Sequence, residues 1–305
     1  MTAVTADPNL LSWYEASARQ RIDALVDAGS FAELIGPELR EMSPHLAIFD
    51  LPEQFDDGIV VGRGRLDGVP VLVAAQEGRF MGGAFGEVHG AKLTGLLRAA
   101  RALHQAVLIL FDTGGVRLQE ANAGELAIAE IMRAVMEARA AGVKVIGLIG
   151  GRSGCYGGGG LIAGCCSALA VSEPGRIAVS GPEVIETNRG VEEFDSRDRA
   201  LVWRTMGGKH RRLLGAADVF ADDNVQDFRE AALALLGLVG PFGLDKLTAE
   251  QERLADRLRR YGACQDAVDI WTAEGIAHAE TVPELPADQF IALADRIGRT
   301  SRDAR

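Results

Sequence analysis

A near-continuous apolar run at Ala106–Phe111 and another at Val143–Ile149 frame a stretch, Glu120 to Ala141, in which Ile128, Ile131, Met132 and Val135 recur at i, i+3, i+4 and i+7. Apolar runs without polar alternation are strands covered on both faces, and the spacing between them is that of an amphipathic helix. The sequence therefore predicts a strand–helix–strand crossover in a parallel sheet, right-handed like nearly all such connections. The same alternation continues on either side. Val69–Ala75 reads as a strand behind a hairpin-like Arg65-Leu66-Asp67-Gly68, Ala91–Leu103 as a helix, and 168–171, 177–179 and 217–221 as strands. Helices are expected over 10–28, around 161–164, at 198–206 and over 225–238. Gly240-Pro241-Phe242-Gly243 breaks the pattern, and the largely helical remainder carries Leu247, Leu254 and Leu258 on one helix and 267–277 on another.

Glycine supplies 37 of the 305 residues, well above the roughly 7% of an ordinary protein. Much of the excess follows strands. Gly82-Gly83 comes after Val71–Ala75, Gly114-Gly115 after Val107–Phe111, and Gly150-Gly151 with Gly157–Gly160 after 143–149. Ligands of α/β folds bind at the carboxyl ends of strands, and glycine lets a ligand touch peptide N–H groups without a Cβ in the way. A phosphate cradle is excluded: no glycine cluster ends in Gly-Lys-Ser/Thr, and Gly62-x-Gly64 lacks a third glycine and precedes a hairpin. Two uses stay open, paired N–H donors for a developing oxyanion and simple close packing of helix on strand.

Forty-three acidic against 32 basic residues give a net charge of −11, which argues against nucleic-acid binding. The start, Met1 to Leu11, has neither a basic region nor an apolar core of a signal peptide. The longest apolar stretch, Leu161–Val171, is broken by Gly164 and Ser167 and falls short of the roughly 20 residues that span a bilayer. Cys155, Cys165, Cys166 and Cys264 include no Cys-x-x-Cys pair, so neither a disulfide framework nor a metal site is expected. These features point to a cytoplasmic protein with no membrane partner.

The series Gly62-Arg-Gly-Arg-Leu-Asp-Gly68, Met81-Gly-Gly-Ala-Phe-Gly-Glu-Val-His-Gly-Ala-Lys92, Asp112-Thr-Gly-Gly-Val-Arg-Leu-Gln-Glu120, Gly181-Pro-Glu-Val184 and Gly207-Gly-Lys-His210 resembles, in order, the acyl-CoA carboxyltransferase branch of the crotonase superfamily. Gly154-Cys155-Tyr156-Gly157-Gly158, Val116 in place of alanine, and the lack of a four-cysteine ribbon before the domain resemble the beta subunits of biotin-independent malonate decarboxylases. The resemblance implies an α/β, crotonase-like spiral of ββα units with flanking helices. It also implies boundaries: a helical segment over 1–57 packing on the core, the carboxyltransferase-type domain over 58–240, and a helical association segment over 241–305.

It implies a function as well, loss of CO2 from a malonyl thioester held on the prosthetic arm of an acyl carrier protein. This chain would bind no cofactor, and its partners would be a gamma subunit, the carrier protein and a transferase alpha subunit. The alternatives are a carboxyltransferase subunit of a biotin-dependent acyl-CoA carboxylase and a non-catalytic scaffold subunit. By their match to the family's loop, Gly157 and Gly158 would supply the oxyanion donors. Tyr156 and Glu120 are candidate proton donors, with packing as the alternative for Tyr156 and helix capping for Glu120, and Ser153 is a third that would act through a water. Gly82, Gly83, Gly114, Gly115 and Gln119 would line the substrate, and Arg117 would meet its carboxylate or else bridge to an acid inside the fold. Lys209, Arg211 and Arg212 form a basic cluster for carrier docking, with a solvated face as the alternative.

Overall fold

The structure is a computed structural model that describes residues 11–303. A short helix α1 (Ala18–Leu25) opens the chain, with Ser17 and Gln20 forming a reciprocal capping box at its start. That cap is why the helix expected over 10–28 is shorter: residues 13–16 form a turn ahead of Ser17, and Leu10 lies outside the described residues. A two-residue strand β1 (Ala32–Glu33) and helix α2 (Pro44–Ile48) lead to the hairpin β2 (Ile59–Leu66) and β3 (Val69–Gln76). Asp67 and Gly68 both have positive φ, 51° and 73°, as its two-residue turn requires. Strand β2 escapes the sequence reading because Gly62 and Gly64 interrupt it. The structure uses both for close approach: a Cβ on Gly62 would fall 2.4 Å from the Phe31 ring, and one on Gly64 3.1 Å from Val26.

The crossovers then repeat. Helix α3 (Glu87–Leu103), strand β4 (Ala106–Phe111), helix α4 (Asn122–Ala140), strand β5 (Val145–Ile149), the short strand β6 (Cys155–Tyr156), helix α5 (Gly158–Cys165) and strand β7 (Ala168–Val171) follow in order. With β8 (Ile177–Ala178) and β9 (Val219–Phe220) they complete a seven-stranded sheet, β1-β2-β3-β4-β5-β7-β9, and a small parallel pair, β6-β8. From β3 onward the large sheet is parallel, with Val73, Leu108, Ile146 and Ala168 in one register row. Side chains alternate strictly across it. Val107, Ile109 and Phe111 join α3 and α4 in one core, whereas Leu108 and Leu110 join Trp13, Ile22 and Phe228 in another. Both faces are covered, which is why these strands read as unbroken apolar runs.

Between each main strand and its helix lies a short extended piece. Phe85 bridges Val116, Thr113 bridges Cys155, and Cys155 pairs with Ile177, so these pieces build a second, shorter ladder at the carboxyl edge of the sheet.

Beyond β8 come α6 (Pro182–Arg189), α7 (Arg199–Met206), α8 (Gly208–Leu213) and α9 (Val225–Leu238). Helices α6 and α8 lack an apolar period long enough to be read in advance. The tail is α10 (Leu244–Tyr261), α11 (Ala267–Ala273) and α12 (Ala287–Asp303). Trp271, Phe290 and Ala294 pack into the same core as α4 and α5, while α10 buries no residue and leaves Leu244, Leu254 and Leu258 exposed. Among the described residues no helix is long and apolar enough to cross a membrane.

Candidate active site

The three glycine turns after β3, β4 and β5 meet. Gly114 donates its N–H to the Gly82 carbonyl at 2.8 Å. Gly83 lies so close behind the next turn that a Cβ there would fall 1.7 Å from the Asp112 carbonyl oxygen. Gly115 (φ 130°) faces Gly157 (φ 55°), and a Cβ on Gly157 would meet the Gly115 Cα at 3.2 Å. Residues 82–83, 114–115 and 157–158 thus form one row, open to solvent at Gly82 and Gly114 and half-buried at Gly157. Within the row the N–H groups differ. Those of Gly114 and Gly115 are used, the latter by Thr113 Oγ1 at 3.1 Å. Gly157 is the N-cap of α5, and no side chain caps that helix. The first N–H groups of a helix have no intrahelical acceptor and carry the positive end of its dipole. The row therefore pairs a backbone wall at 114–115 with backbone donors at 157–158.

Two side chains expected at the substrate are instead interior. Arg117 is 1% exposed and grips Asp57 with Nη1 at 2.8 and 2.9 Å, the Asp57 carbonyl with Nη2 at 2.8 Å, and Glu120 at 3.0 Å. The internal bridge, not the substrate carboxylate, is its partner. Burial pushes the Asp57 carboxyl up, with Arg117 working against it. Glu120 accepts the Glu87 N–H at the start of α3 at 2.5 Å as well as the Arg117 bond. Burial acts to raise its pKa, but those bonds outweigh it and hold the group below the ordinary carboxylate range. Its two bonds, to the first N–H of α3 and to Arg117, are those of the capping alternative. Its helix is also not the one expected: Ala121 (φ 46°) separates it from α4, which begins at Asn122, and the cap serves α3.

The other candidates are placed as follows. The Tyr156 ring packs over Gly154 and beneath the Arg176 guanidinium, 5.8 Å away, with its hydroxyl buried and without a partner among the described residues. Burial raises its pKa. Ser153 donates its hydroxyl to the Gly78 carbonyl at 3.2 Å, and Gln119 is exposed on the turn beside Leu118.

The basic cluster on α8 turns inward, which corrects its reading as a docking surface. Lys209 is 7% exposed and donates to the Pro283 and Leu285 carbonyls at 2.7 and 2.8 Å while pairing with Glu173 at 3.0 Å. Arg212 pairs with Asp295 on α12 at 3.0 Å. Arg211 is enclosed beside Tyr156, and burial pushes its pKa down to about 10. The cluster fastens the C-terminal segment to the sheet.

Beneath the glycine row lies a set of polar side chains to which the sequence reading gave no catalytic role. Gln76 accepts the Asp112 N–H at 3.2 Å and donates to the Gly83 carbonyl at 3.3 Å and to His89 Nε2 at 3.2 Å. His89 Nδ1 faces the Asp57 carbonyl at 3.2 Å, so this nitrogen carries the proton and Nε2 accepts. Asp112 in turn meets Arg21 of α1 at 2.8 Å, both side chains being buried. One signal was available: Ala18, Arg21, Ile22 and Leu25 share a buried stripe at i, i+3, i+4 and i+7, and a charge in an apolar stripe demands a buried partner.

Comparison with known proteins agrees with this architecture. A carboxyl transferase domain family model matches residues 15–238. The malonyl-S-ACP:biotin-protein carboxyltransferase of Malonomonas rubra is 39% identical over 94% of this chain and 96% of its own. A chain of the Pseudomonas malonate decarboxylase hetero-tetramer, solved in complex with malonate, is 41% identical and superposes with a TM-score of 0.79 over 87% of this chain and 97% of its own. The transcarboxylase 12S core is more distant, at 25% identity and a TM-score of 0.63 over 74% of this chain and 41% of its own. The fold is therefore the crotonase-like one of the carboxyl transferases, and the chain belongs to the carboxyl transferase domain family, where it groups with the malonate decarboxylase chains.

Proposed function

We propose that this chain is the decarboxylating subunit of a malonate-decarboxylase-like complex, acting on a malonyl thioester carried by an acyl carrier protein. The observation that carries the reading is the glycine row with backbone donors at one side. Breaking the bond between the malonyl C2 and its carboxyl group releases CO2 and leaves the electron pair on an enolate, whose charge rests on the thioester oxygen. The N–H groups of Gly157 and Gly158, at the positive end of α5, are the donors for that oxygen. One such donor typically contributes about 3 kcal/mol to the transition state. The enolate carbon then takes a proton from solvent and leaves as the acetyl thioester. Gly82 and Gly114 form the open lip over which the thioester enters.

One finding favours a second reading. The Malonomonas relative is a biotin-protein carboxyltransferase, and carboxyl transfer to biotin begins with the same bond cleavage. The two part company after CO2 forms. The Pseudomonas neighbour works in a hetero-tetramer, and we place the corresponding contact with a gamma-type subunit on α10, whose leucines are exposed. The transferase alpha subunit completes the set.

The test is co-purification with candidate partners and an assay of CO2 release from malonyl-carrier thioester with and without avidin. Avidin-insensitive release is expected, and avidin-blocked release assigns the chain to biotin-dependent transfer. Gly114→Val is the cleanest variant, because a Cβ there meets only the Gly82 carbonyl, at 3.6 Å, and the lip is exposed. It should lower kcat/KM by at least about 100-fold through misplaced substrate, without moving Tm. Wild-type turnover by Gly114→Val would remove the row from the reaction. Leu254→Asp should release the partner subunit, and retained co-purification would move the interface elsewhere.

A further inference from the structure

Three loops carry the glycine row. All three converge on one carboxylate. Asp112, at the end of β4, is 2% exposed. Its Oδ1 accepts the N–H of Ser153, in the loop after β5, at 2.6 Å. Its Oδ2 accepts Nη1 of Arg21 at 2.8 Å. The carboxyl carbon is wedged between two glycines: a Cβ on Gly78, in the loop after β3, would fall 2.5 Å from it, and a Cβ on Gly151, after β5, would fall 2.3 Å away. Asp112 also donates its own N–H to Gln76, which holds the Gly83 carbonyl. A single side chain therefore touches the loop that carries Gly82–Gly83 and, at Gly151 and Ser153, the loop that leads through β6 to Gly157–Gly158, and it belongs to the turn of Gly114–Gly115.

Arg21 comes from outside this domain edge. Its guanidinium is itself fixed, with Nε on the Trp13 carbonyl at 2.8 Å and Nη2 on the Tyr14 carbonyl at 3.4 Å. The pair is buried on both sides, so removing one partner leaves an uncompensated charge in a medium that solvates it poorly. Replacing the pair by apolar residues is often nearly neutral for stability. A pair retained purely for stability would thus be dispensable; one that fixes loop register would not be.

We propose that Asp112, held by Arg21, is the positioning residue that sets the three glycine turns in register, so that α1 governs the alignment of the oxyanion donors without touching substrate. The proposal rests on the decarboxylase reading above. A displacement of about 1 Å in such a row costs on the order of 100-fold in rate.

The assembled complex is the material for the test, with three variants: Arg21→Met, Arg21→Lys, and Arg21→Met combined with Asp112→Asn. The double variant leaves no buried net charge and keeps the experiment decisive if Arg21→Met alone fails to fold. Two quantities are measured, the kcat and KM for malonyl-carrier thioester and the infrared carbonyl stretch of bound, isotope-labelled acetyl thioester. In the wild type, backbone donors polarise that carbonyl and lower its frequency. The expected result for the double variant is a kcat about 100-fold lower, a KM within about threefold, and loss of the frequency shift, with partial recovery in Arg21→Lys. Wild-type kcat and an unchanged shift in the folded double variant would overturn the positioning role while leaving the decarboxylase reading intact. A wild-type complex that shows no frequency shift would instead overturn the oxyanion reading, and the positioning role with it.

Discussion

The glycine turns and the charged clusters of this chain are equally conspicuous in its sequence, and the structure treats them oppositely. The glycines at 82–83, 114–115 and 157–158 form one row that reaches the surface at Gly82 and Gly114. The charges at Arg117 and Lys209 go inside, where they bind carboxylates and carbonyls of the fold. A glycine pair after a strand acts through its own backbone, so its local setting already says much about its use. A guanidinium or ammonium reaches several ångströms from its Cα, and its use depends on residues that the sequence does not place. Arg117 finds Asp57, sixty positions away, and Lys209 finds Pro283, seventy-four positions away.

The contrast predicts that changes in the row cost activity at constant stability, and that changes in the clusters cost stability at constant activity per folded molecule. The sharpest case is Arg117→Met. It strips Asp57 and Glu120 of their shared cation in a fully buried site. Breaking a buried pair from one side typically destabilises by about 3–5 kcal/mol. Urea unfolding should show that loss, with KM for the thioester unchanged in the protein that remains folded. A stable Arg117→Met protein with a raised KM would return the side chain to the substrate and break the comparison.

A smaller effect is expected at Lys209. Lys209→Met removes the ammonium from the Pro283 and Leu285 carbonyls and from Glu173. Lost charge-assisted bonds of this kind cost about 1–3 kcal/mol. Glu173, whose pKa burial already raises, can take up a proton and limit the penalty. Hydrogen exchange should rise in residues 279–297, and affinity for an acidic carrier protein should not change. Weakened carrier binding without faster exchange would restore the docking role.

The same division explains how much of the molecule the sequence disclosed. Strand β4 and helix α9 coincide with their expected ranges, because a strand buried on both faces and a strongly amphipathic helix are written in local periodicity. Strand β2 was hidden by glycines whose reason, the Phe31 ring and Val26, lies in other elements. Helix α8 was read as a basic patch because Lys209, Arg211 and Arg212 look solvated until Tyr156 encloses Arg211 and the C-terminal segment meets the other two. The row itself was legible in its parts. Its assembly was not, since Asp112, Gln76 and Arg21 join loops that are far apart in the chain.

The smallest effect in any one condition, yet the one that connects both regions, is the response to acid. His89 is fully buried between the Asp57 carbonyl and Gln76, and burial, aided by Arg117 and Lys92, holds its pKa well below the usual 6.5. His210, pressed against Trp271, is pushed down to about 3 by burial. Both imidazoles are neutral when folded and take up a proton when unfolded below pH 6.5. Unfolding therefore consumes protons, and stability is full above pH 6.5 and falls as the pH drops below it. Each imidazole contributes a slope of at most about 1.4 kcal/mol per pH unit. Comparing urea unfolding of wild type and His89→Gln at pH 7, 6 and 5.5 isolates the His89 share from the carboxylates, and the variant should show the shallower dependence. In the wild type, a proton on Nε2 would face the Gln76 amide that now donates to it. Gln76 could accommodate that proton only by turning over, which releases the Gly83 carbonyl and the Asp112 N–H together. The folded protein therefore excludes that proton, and acid acts on stability through the unfolded chain. Identical pH slopes in wild type and His89→Gln would show that the imidazole is not the neutral strut that links the charged interior to the glycine row.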